Sequence, residues 1–480
     1  MAELVPIYLE EIVPGDRFRV NSEILARFAP MISPIMHRVN VKVDYFFVPN
    51  RIVWNDWKDF ITGGEDGAQN PSFPEIMVNT THADKYAKGT LSDYMGFPPP
   101  PTTIGQWYGF NALPFRGYQE IYNEWYRDQN LQPKVEFSKD GSLEADIGPL
   151  TTLRTRAWEK DYFTSALPWA QKGGAVSVPI DLSYKEPAEF RTTPGGTLTD
   201  AGNIESISDG RASHDTQGMV TIENIDGDLT GINVEDLRTS TRLQQWLERN
   251  ARSGSRYVES ILAHFGERVP DYTAQRPVYL GGGQQPVTIS EVLQTSQTDT
   301  TGDISPQGNM AGHGISAGSP NMFKGTFKEH GFVFGIMSVL PRTAYSQGFE
   351  KFWFKKDKFE YYWNEFAQLG EQPIMAGELY YDWAAASSSG QWNKTFGYQA
   401  RYDDYRKRRS RIAGDMRDTL AFWHLGRYFD TEPQLNDSFI KADPRKDIFA
   451  VTDNTDHLWI QVFNNVQAMR RIPKYNIPTL

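Results

Sequence analysis

VNVKVDYFFV, residues 39–48, is the stretch that decides the fold class. From Val39 to Phe47 every second residue is apolar, positions 40, 42 and 44 between them are polar, and Pro49 follows the run. This period of two places the apolar side chains on one face of an extended chain. The stretch therefore predicts a β-strand that turns one face to a core.

Two further runs predict strands at a distance from the first. Residues 332–340 are nearly all apolar between Gly331 and Pro341, which predicts a strand buried on both faces. Residues 458–468 alternate near the end of the chain. Because the strong strands lie far apart and polar stretches separate them, we predict one β-sandwich with large insertions and not a series of βαβ units.

One of these insertions is predicted to contain two helices. Leu243, Trp246 and Leu247 form an apolar stripe at helical spacing in a helix that Gly254 ends. A second helix is predicted over residues 257–265, with Gly266 after it. The stretches 192–231 and 295–321 are rich in Gly, Ser, Thr and Asn, and we predict exposed loops there.

Composition limits the classes of function. The net charge of −11 predicts a mostly acidic surface, so any contact with nucleic acid must be confined to a local basic patch. The absence of cysteine excludes disulfides, thiolate nucleophiles and cysteine-bound metals. With no 18-residue apolar run and no signal-like first segment, neither membrane insertion nor secretion by a cleaved signal is expected.

Four short motifs suggest chemistry, and each lacks its context. GISAG at 314–318 resembles a nucleophile elbow without the strand and helix that must flank one. DGDLTG at 226–231 opens like a calcium loop but has Leu237 where the closing Glu would stand, and GGG at 281–283 lacks the Lys of a phosphate loop. The eight histidines show no i, i+4 pair. We therefore predict no catalytic residue, no metal and no cofactor.

The charge cluster RYDDYRKRRSR, residues 401–411 and here called the basic strip, carries a local charge of +4. Its cations can neutralise phosphates and its tyrosines can stack on unpaired bases, as in proteins that bind single strands without reading sequence. Arginine and tyrosine are also favoured in contacts between subunits, so this alternative stays open. The candidate residues for a DNA or inter-subunit contact are Arg401, Tyr402, Tyr405, Arg406, Lys407, Arg408, Arg409 and Arg411.

Long phrases along the whole chain carry a family resemblance. They are LVPIYLEEIVPGDRF (4–18), PIMHRVNVKVDYFFVPNRIVWNDWKDFITGG (34–64), YFTSALPWAQKG (162–173), ERNARSGSRYVESILAHFG (248–266), RPVYLGGGQQPVTISEVLQTS (276–296), GEQPIMAGELYY (370–381) and FGYQARYDDYRKRRSRIAGDMRD (396–418). In this order they resemble the major capsid protein of the Microviridae, in particular its gokushovirus-like branch.

The resemblance implies a mainly β fold, an eight-stranded jelly-roll β-sandwich of the viral capsid type with long loop and helical insertions. It implies a virion protein that assembles with itself, in the cytoplasm of a bacterial host, into a T=1 icosahedral capsid around a circular single-stranded DNA genome, with loops that meet a host-surface receptor. A small DNA-binding protein, a scaffold or a spike protein of the same phage are further partners that the sequence leaves open, and no membrane is expected. The predicted segments are 1–180 and 323–480 as the two parts of the core, 181–231 as an exposed polar insertion and candidate surface protrusion, 232–295 as a helical insertion and 296–322 as a flexible loop.

Two other classes of function remain as alternatives. A monomeric β-module that binds a host or a carbohydrate would meet cells without forming shells. A carbohydrate-active enzyme could line a sugar groove with some of the 13 Trp and 23 Tyr residues, but no acid pair with a supporting context accompanies them. Particle formation separates the capsid hypothesis from both.

Overall fold

The computed structural model describes the chain in segments. Side chains and backbone are described for residues 1–100, 108–144, 146–177, 234–293, 310–383, 391–451 and 456–472, and within 178–233 only the backbone of short strands is described. Everything below refers to these residues. They form two compact units, one of residues 1–170 and 250–480 and one of residues 171–249.

Eight strands, numbered β1 to β8 in chain order, build the first unit. They are β1 Val5–Ile12, β2 Arg17–Phe28, β3 Val39–Pro49, β4 Val278–Pro286, β5 Thr288–Leu293, β6 Met310–Thr326, β7 Gly331–Pro341 and β8 Leu458–Met469. One sheet has the order β1-β7-β3-β4 and the other the order β5-β6-β2-β8. All of these pairings are antiparallel. The prediction of a mainly β fold is confirmed.

The core lies between the two sheets. The first sheet contributes the alternating residues of β3 from Val39 to Phe47, and the second contributes those of β2 from Phe18 to Phe28. Both sets are buried because each strand turns every second side chain inward. The alternation in the sequence therefore marks the inner faces of a sandwich.

A second core covers the outer face of the β1-β7-β3-β4 sheet. Phe46 of β3 and Phe334 of β7 pack there against the helix Leu113–Ile121 and against Trp54. This sheet is consequently covered on both faces. The continuous burial of β7, residue after residue, confirms the prediction made from its unbroken apolar run.

The predicted helices are also confirmed. One helix spans Val234–Ser253 and ends before Gly254, and the next spans Tyr257–Phe265. Gly266 follows the second helix with a φ of 73°, a left-handed conformation that glycine adopts without steric cost. His264 Nε2 and Asn250 Oδ1 lie 2.7 Å apart and join the two helices.

The loop prediction for 296–322 is wrong over its second half, because β6 starts at Met310. Glycines suggested flexibility there, but a Cβ on Gly312 would lie 2.4 Å from Ser33 O and one on Gly314 would lie 3.0 Å from the Phe28 ring. These glycines permit close approach within a sheet. Ser316 of the GISAG motif is buried and donates a hydrogen bond to Pro286 O at 2.9 Å, as a structural residue of a strand.

The prediction of a helical insertion over 232–295 is wrong at its end, where β4 and β5 belong to the two sheets. The triple glycine lies within β4 and not at a tight turn. A Cβ on Gly282 would lie 2.3 Å from Val43 O of the neighbouring strand, and the register of β4 against β3 shifts between Tyr279 and Gly281. The glycines accommodate a bulge and a close strand contact.

The unit of residues 171–249 contains short strands and the first part of the helix Val234–Ser253. Its five-stranded sheet has the order Gly196–Thr197, Phe190–Thr192, Gly218–Ile222, Ala212–His214 and Glu205–Ser206, and Leu182–Tyr184 pairs with Gly227–Leu229. The predicted exposure of 181–231 and the side chains of the DGDLTG motif lie outside the described residues. The surface protrusion therefore stays a prediction.

Shorter elements connect the strands of the first unit. Two-stranded sheets pair Glu75–Val78 with Tyr108–Asn111 and Glu371–Met375 with Thr395–Ala400. The other helices of the α type are Asn50–Val53, Trp57–Thr62, Leu91–Tyr94, Gly148–Thr151, Ala376–Leu379, Asp403–Arg406 and Asp437–Ile440, and Tyr122–Tyr126 is a π-helix. Short 3₁₀ turns are Thr80–Tyr86, Lys351–Trp353, Lys358–Glu360, Asn364–Phe366, Gln391–Asn393, Gly414–Arg417 and Ala421–Trp423. In the described part of the chain, no helix has the length and apolar character needed to span a bilayer.

Candidate functional site

The basic strip starts directly after the strand Thr395–Ala400. Its second residue, Tyr402, has a φ of 62° and donates its amide hydrogen to Gln372 Oε1 at 3.0 Å. The helix Asp403–Arg406 follows at once. This turn attaches the start of the strip to the two-stranded sheet and turns the following cations away from it.

The two acids of the strip hold cations in place. Asp403 forms ion pairs with Arg406 at 3.2 Å and with Lys407 at 2.7 Å, one turn further along the chain. Asp404 pairs with Lys355 at 2.5 Å. Although burial alone would lower it, the hydrogen bond to Asp404 and the contact with Tyr405 raise the pKa of Lys355 above its ordinary value. Lys355 is therefore a cation fixed beside the strip.

The remaining arginines pair with groups from a segment about 50 residues earlier. Glu350 lies 3.3 Å from Arg408 and 3.7 Å from Arg411. Arg409 donates to Gly348 O at 2.8 Å and also to Glu378 O. Burial lowers the pKa of the Arg409 guanidinium, and the nearby carboxylates of Glu350 and Glu378 oppose this. Arg409 thus serves to hold chain segments together.

The eight candidate residues consequently fall into two groups. Arg401, Tyr402 and Arg409 are buried or half-buried and bonded to the chain's own backbone. The side chains of Arg406, Arg408 and Arg411 are 61–73% exposed, and Lys407 and Tyr405 are exposed as well. Only this second group can meet another molecule without a rearrangement of the fold.

An aromatic segment, residues 349–366, lies against the basic strip. Nine of its 18 residues are aromatic, and Trp353 and Tyr362 are among those exposed. Arg401 donates to Phe359 O at 2.9 Å, and the Tyr362 ring lies 5.2 Å from that of Tyr402. Lys355 stands 4.1 Å above the Tyr405 ring, a cation–π contact. The strip and the aromatic segment therefore form one surface.

A pocket with a volume of about 100 Å³ lies between them. Its lining combines six aromatic residues with five cations and three acids: Tyr162, Phe163, Phe349, Phe352, Tyr361, Tyr405, Lys351, Lys355, Lys407, Arg408, Arg409, Glu350, Glu378 and Asp404. Tyr162 donates to Glu378 Oε2 at 2.6 Å, and burial, reinforced by this carboxylate, raises the pKa of its hydroxyl. The floor of the pocket stays neutral at Tyr162 and its rim is cationic.

This arrangement can bind anions beside aromatic faces. Phosphate groups would be attracted to the exposed cations, and exposed rings offer surfaces on which bases stack. No group of three or more metal-ligating side chains occurs within the described ranges. The same surface could also cover an acidic, aromatic patch of another protein.

Sequence reasoning found the strip and missed the aromatic segment. The signal was present, because the local run FEKFWFKKDKFEYYWNEF is far richer in aromatic residues than the chain as a whole, which has 13%. Its adjacency to residues 401–411 could not be read from a single sequence.

Comparisons with known proteins are consistent over the full length. The family model described as capsid protein (F protein) matches residues 1–480. The chain is 34% identical to capsid protein VP1 of Chlamydia phage 1, with 100% of this chain and 93% of the relative covered. It is 35% identical to capsid protein VP1 of Bdellovibrio phage phiMH2K, covering 92% and 85%, and 29% identical to that of Spiroplasma virus 4, covering 100% and 92%.

Proposed function

Because the chain belongs to the capsid protein (F protein) family and is a structural capsid protein of the virion, we propose that it forms a T=1 icosahedral shell around a circular single-stranded DNA genome. The observation that carries the proposal is the family match over all 480 residues. Self-assembly into a capsid follows from membership of the family, and the role is structural and not enzymatic. The size of the shell and the nature of the genome are the proposed part.

The fold proposed for this role is the eight-stranded jelly roll of viral capsids. Its support is a sandwich of two four-stranded antiparallel sheets that share one core. Long segments separate β3 from β4 and β7 from β8. Such insertions can supply the lateral contacts that a closed shell requires.

Exposed aromatic side chains support contacts between subunits. Tyr257, Phe265, Trp353 and Trp383 are each 67–77% exposed in the single chain. Large apolar groups of this kind mark surfaces that partners cover. We propose assembly in the bacterial cytoplasm, host attachment through exposed loops that include 181–231, and a receptor on the host surface as partner. A small DNA-binding, scaffold or spike protein of the same phage would be a further partner.

Assembly of the purified full-length chain is the direct test of the shell. We expect electron microscopy and sedimentation to show closed particles of uniform size, with the phage's own scaffold added where assembly needs one. A monomeric host-binding module would instead sediment as one chain in every condition. Persistent monomers in the presence of the other phage proteins would contradict the proposal.

The basic strip and the aromatic segment are proposed to contact the genome. The support is the joint exposure of Arg406, Lys407, Arg408 and Arg411 beside exposed rings, which is the combination that binds single strands without sequence preference. On a chain with a net charge of −11, a local charge of +4 is a rare site for a polyanion. The buried Tyr402 and Arg409 would have only a structural part.

Neutralising the exposed cations tests this contact. Replacing Arg406, Lys407, Arg408 and Arg411 by Gln is expected to leave shells intact and to reduce their DNA content, because each lost phosphate contact weakens binding. For the isolated chain and a single-stranded oligonucleotide, the slope of log K against log salt should fall by about 0.7 per contact.

The matched control removes four other exposed cations, Lys58, Lys88, Lys134 and Arg268, with the same change in net charge. The control is expected to package DNA normally. Normal DNA content in the strip variant would refute the genome contact, and loss of shells in that variant alone would assign the strip to a subunit interface.

A further inference from the structure

β8 is an edge strand without the usual protection of an edge. It closes one side of the β5-β6-β2-β8 sheet and runs for 12 residues, Leu458–Met469, without a charged residue or a proline. Edge strands in soluble proteins normally carry charges, prolines or bulges that prevent pairing with other chains.

The other three edges of the sandwich have such protection. β1 carries Glu10 and Glu11, and the six-residue β5 carries Glu291. β4 has the bulge after Tyr279 and ends in Pro286. Only β8, among the described edges of the two sheets, is long, regular and uncharged.

The main-chain groups on the outer side of β8 can be identified from its pairing with β2. Ala29 donates its amide hydrogen to His457 O at 2.8 Å, and Leu458 lies opposite Phe28. In an antiparallel pair hydrogen-bonded positions alternate, so the odd-numbered residues of β8 bond to β2. The N–H and C=O groups of the even-numbered residues, from Leu458 to Ala468, therefore point away from the sheet. In the described part of the chain none of them has a hydrogen-bond partner.

The side chains of β8 are covered less than those of its neighbour. Leu458, Ile460 and Val462 face the core but are only partly buried, whereas the inward residues of β2 are fully buried. On the opposite face Trp459 and Phe463 are 54% and 60% exposed. One more strand beside β8 would cover both rows and satisfy the free main-chain groups.

We propose that this strand is β8 of a second copy of the chain, paired antiparallel about a twofold axis. The proposal rests on the proposed shell, which brings many copies together and contains twofold axes. β8 suits itself as a partner because an uncharged strand meets no like charge across the axis, and a twofold contact uses the same surface on both copies. The two β5-β6-β2-β8 sheets then become one continuous sheet.

The geometry of β8 fixes the register of this pair. The even-numbered residues must bond to each other, and the longest overlap of Leu458 to Ala468 centres the pair on Phe463. Phe463 then faces Phe463 of the second copy as a non-hydrogen-bonded pair, where cross-strand side chains lie closest. Beyond the strand end, the same register places Asp456 opposite Arg470 of the second copy, so that opposite charges meet.

A single introduced cysteine tests this register, because the chain has none of its own. In the proposed pair the Cα atoms of the two residues 463 are about 4.5 Å apart, within the range that a disulfide spans. We expect full-length Phe463→Cys, under mild oxidation, to give at least about tenfold more linked dimer than other cysteine positions on the same face of β8.

The matched controls are Gln461→Cys and Asn465→Cys. In the proposed register each of these faces the other and lies about 13 Å from its own copy, so neither should link alone while a mixture of the two should. Circular dichroism verifies that the three variants keep the β content of the parent chain. Equal linking at all three positions, or no linking at 463, would overturn the proposal.

The outcome separates this inference from the shell itself. Closed particles in which residue 463 stays unlinked would leave the shell standing and remove the β8 pair. Linking at 463 in a chain that never forms particles would support the pair and count against the shell.

Discussion

Arg116→Met is expected to lower the free energy of unfolding by about 3–5 kcal/mol, because it leaves a buried carboxylate without its partner. Arg116 is 1% exposed on the helix Leu113–Ile121 and donates to Glu144 Oε1 at 2.7 Å. It also donates to Val53 O at 3.1 Å and to Asp140 O at 2.8 Å. One side chain thus joins three segments over the outer face of the β1-β7-β3-β4 sheet. The shift of the urea midpoint of the unassembled chain measures the loss.

Arg445→Met serves as the matched control for this substitution. Its partner Asp447 is 53% exposed and only two residues away, so solvent replaces the lost contact. We expect a change below about 1 kcal/mol for the control. A similar small effect for Arg116→Met would show that the pair with Glu144 is not buried in solution.

Phe47→Ala is expected to cost about 3–5 kcal/mol of unfolding free energy. Phe47 is fully buried on the inner face of β3, and its ring centroid lies 4.8 Å from that of Phe327 and 6.3 Å from that of Tyr272. Truncation removes the transfer free energy of the ring and leaves a cavity between two sheets that cannot close together. Urea denaturation of the unassembled chain and the yield of particles should both fall.

Phe265→Ala provides the comparison at an exposed site. Phe265 ends the helix Tyr257–Phe265 and is 77% exposed, so its removal should change the stability of the unassembled chain by less than about 0.5 kcal/mol. A cost for Phe47→Ala below about 1 kcal/mol would mean that the two sheets are not packed on each other as described.

Several elements were predictable because their signals are local. The alternation of β3 and β8, the continuous apolar run of β7 and the glycines after the two helices are each contained within about a dozen residues. Such patterns reflect burial on one face, burial on two faces and helix termination, and neighbouring residues suffice to express them. β6 was not predictable in this way. Its glycines resemble a loop until Ser33 and Phe28 are seen against them.

The basic strip shows the same division within one site. Its charge of +4 and its two tyrosines are properties of the sequence. Which cations remain exposed depends on Glu350, Gly348 and Glu378, whose groups come from distant parts of the chain and hold Arg408, Arg409 and Arg411. No local pattern encodes these partners, because ion pairs and hydrogen bonds depend on distance in space.

By itself, the sequence determined the family, the class of fold and the location of the strongest strands and helices, since these depend on composition and on short-range periodicity. Only the tertiary structure decided that a glycine-rich stretch is a core strand, that an aromatic segment joins the basic strip, and that β8 lies at an edge. The physical reason is that burial, pairing and exposure are set by residues far apart in the chain, which meet only after folding.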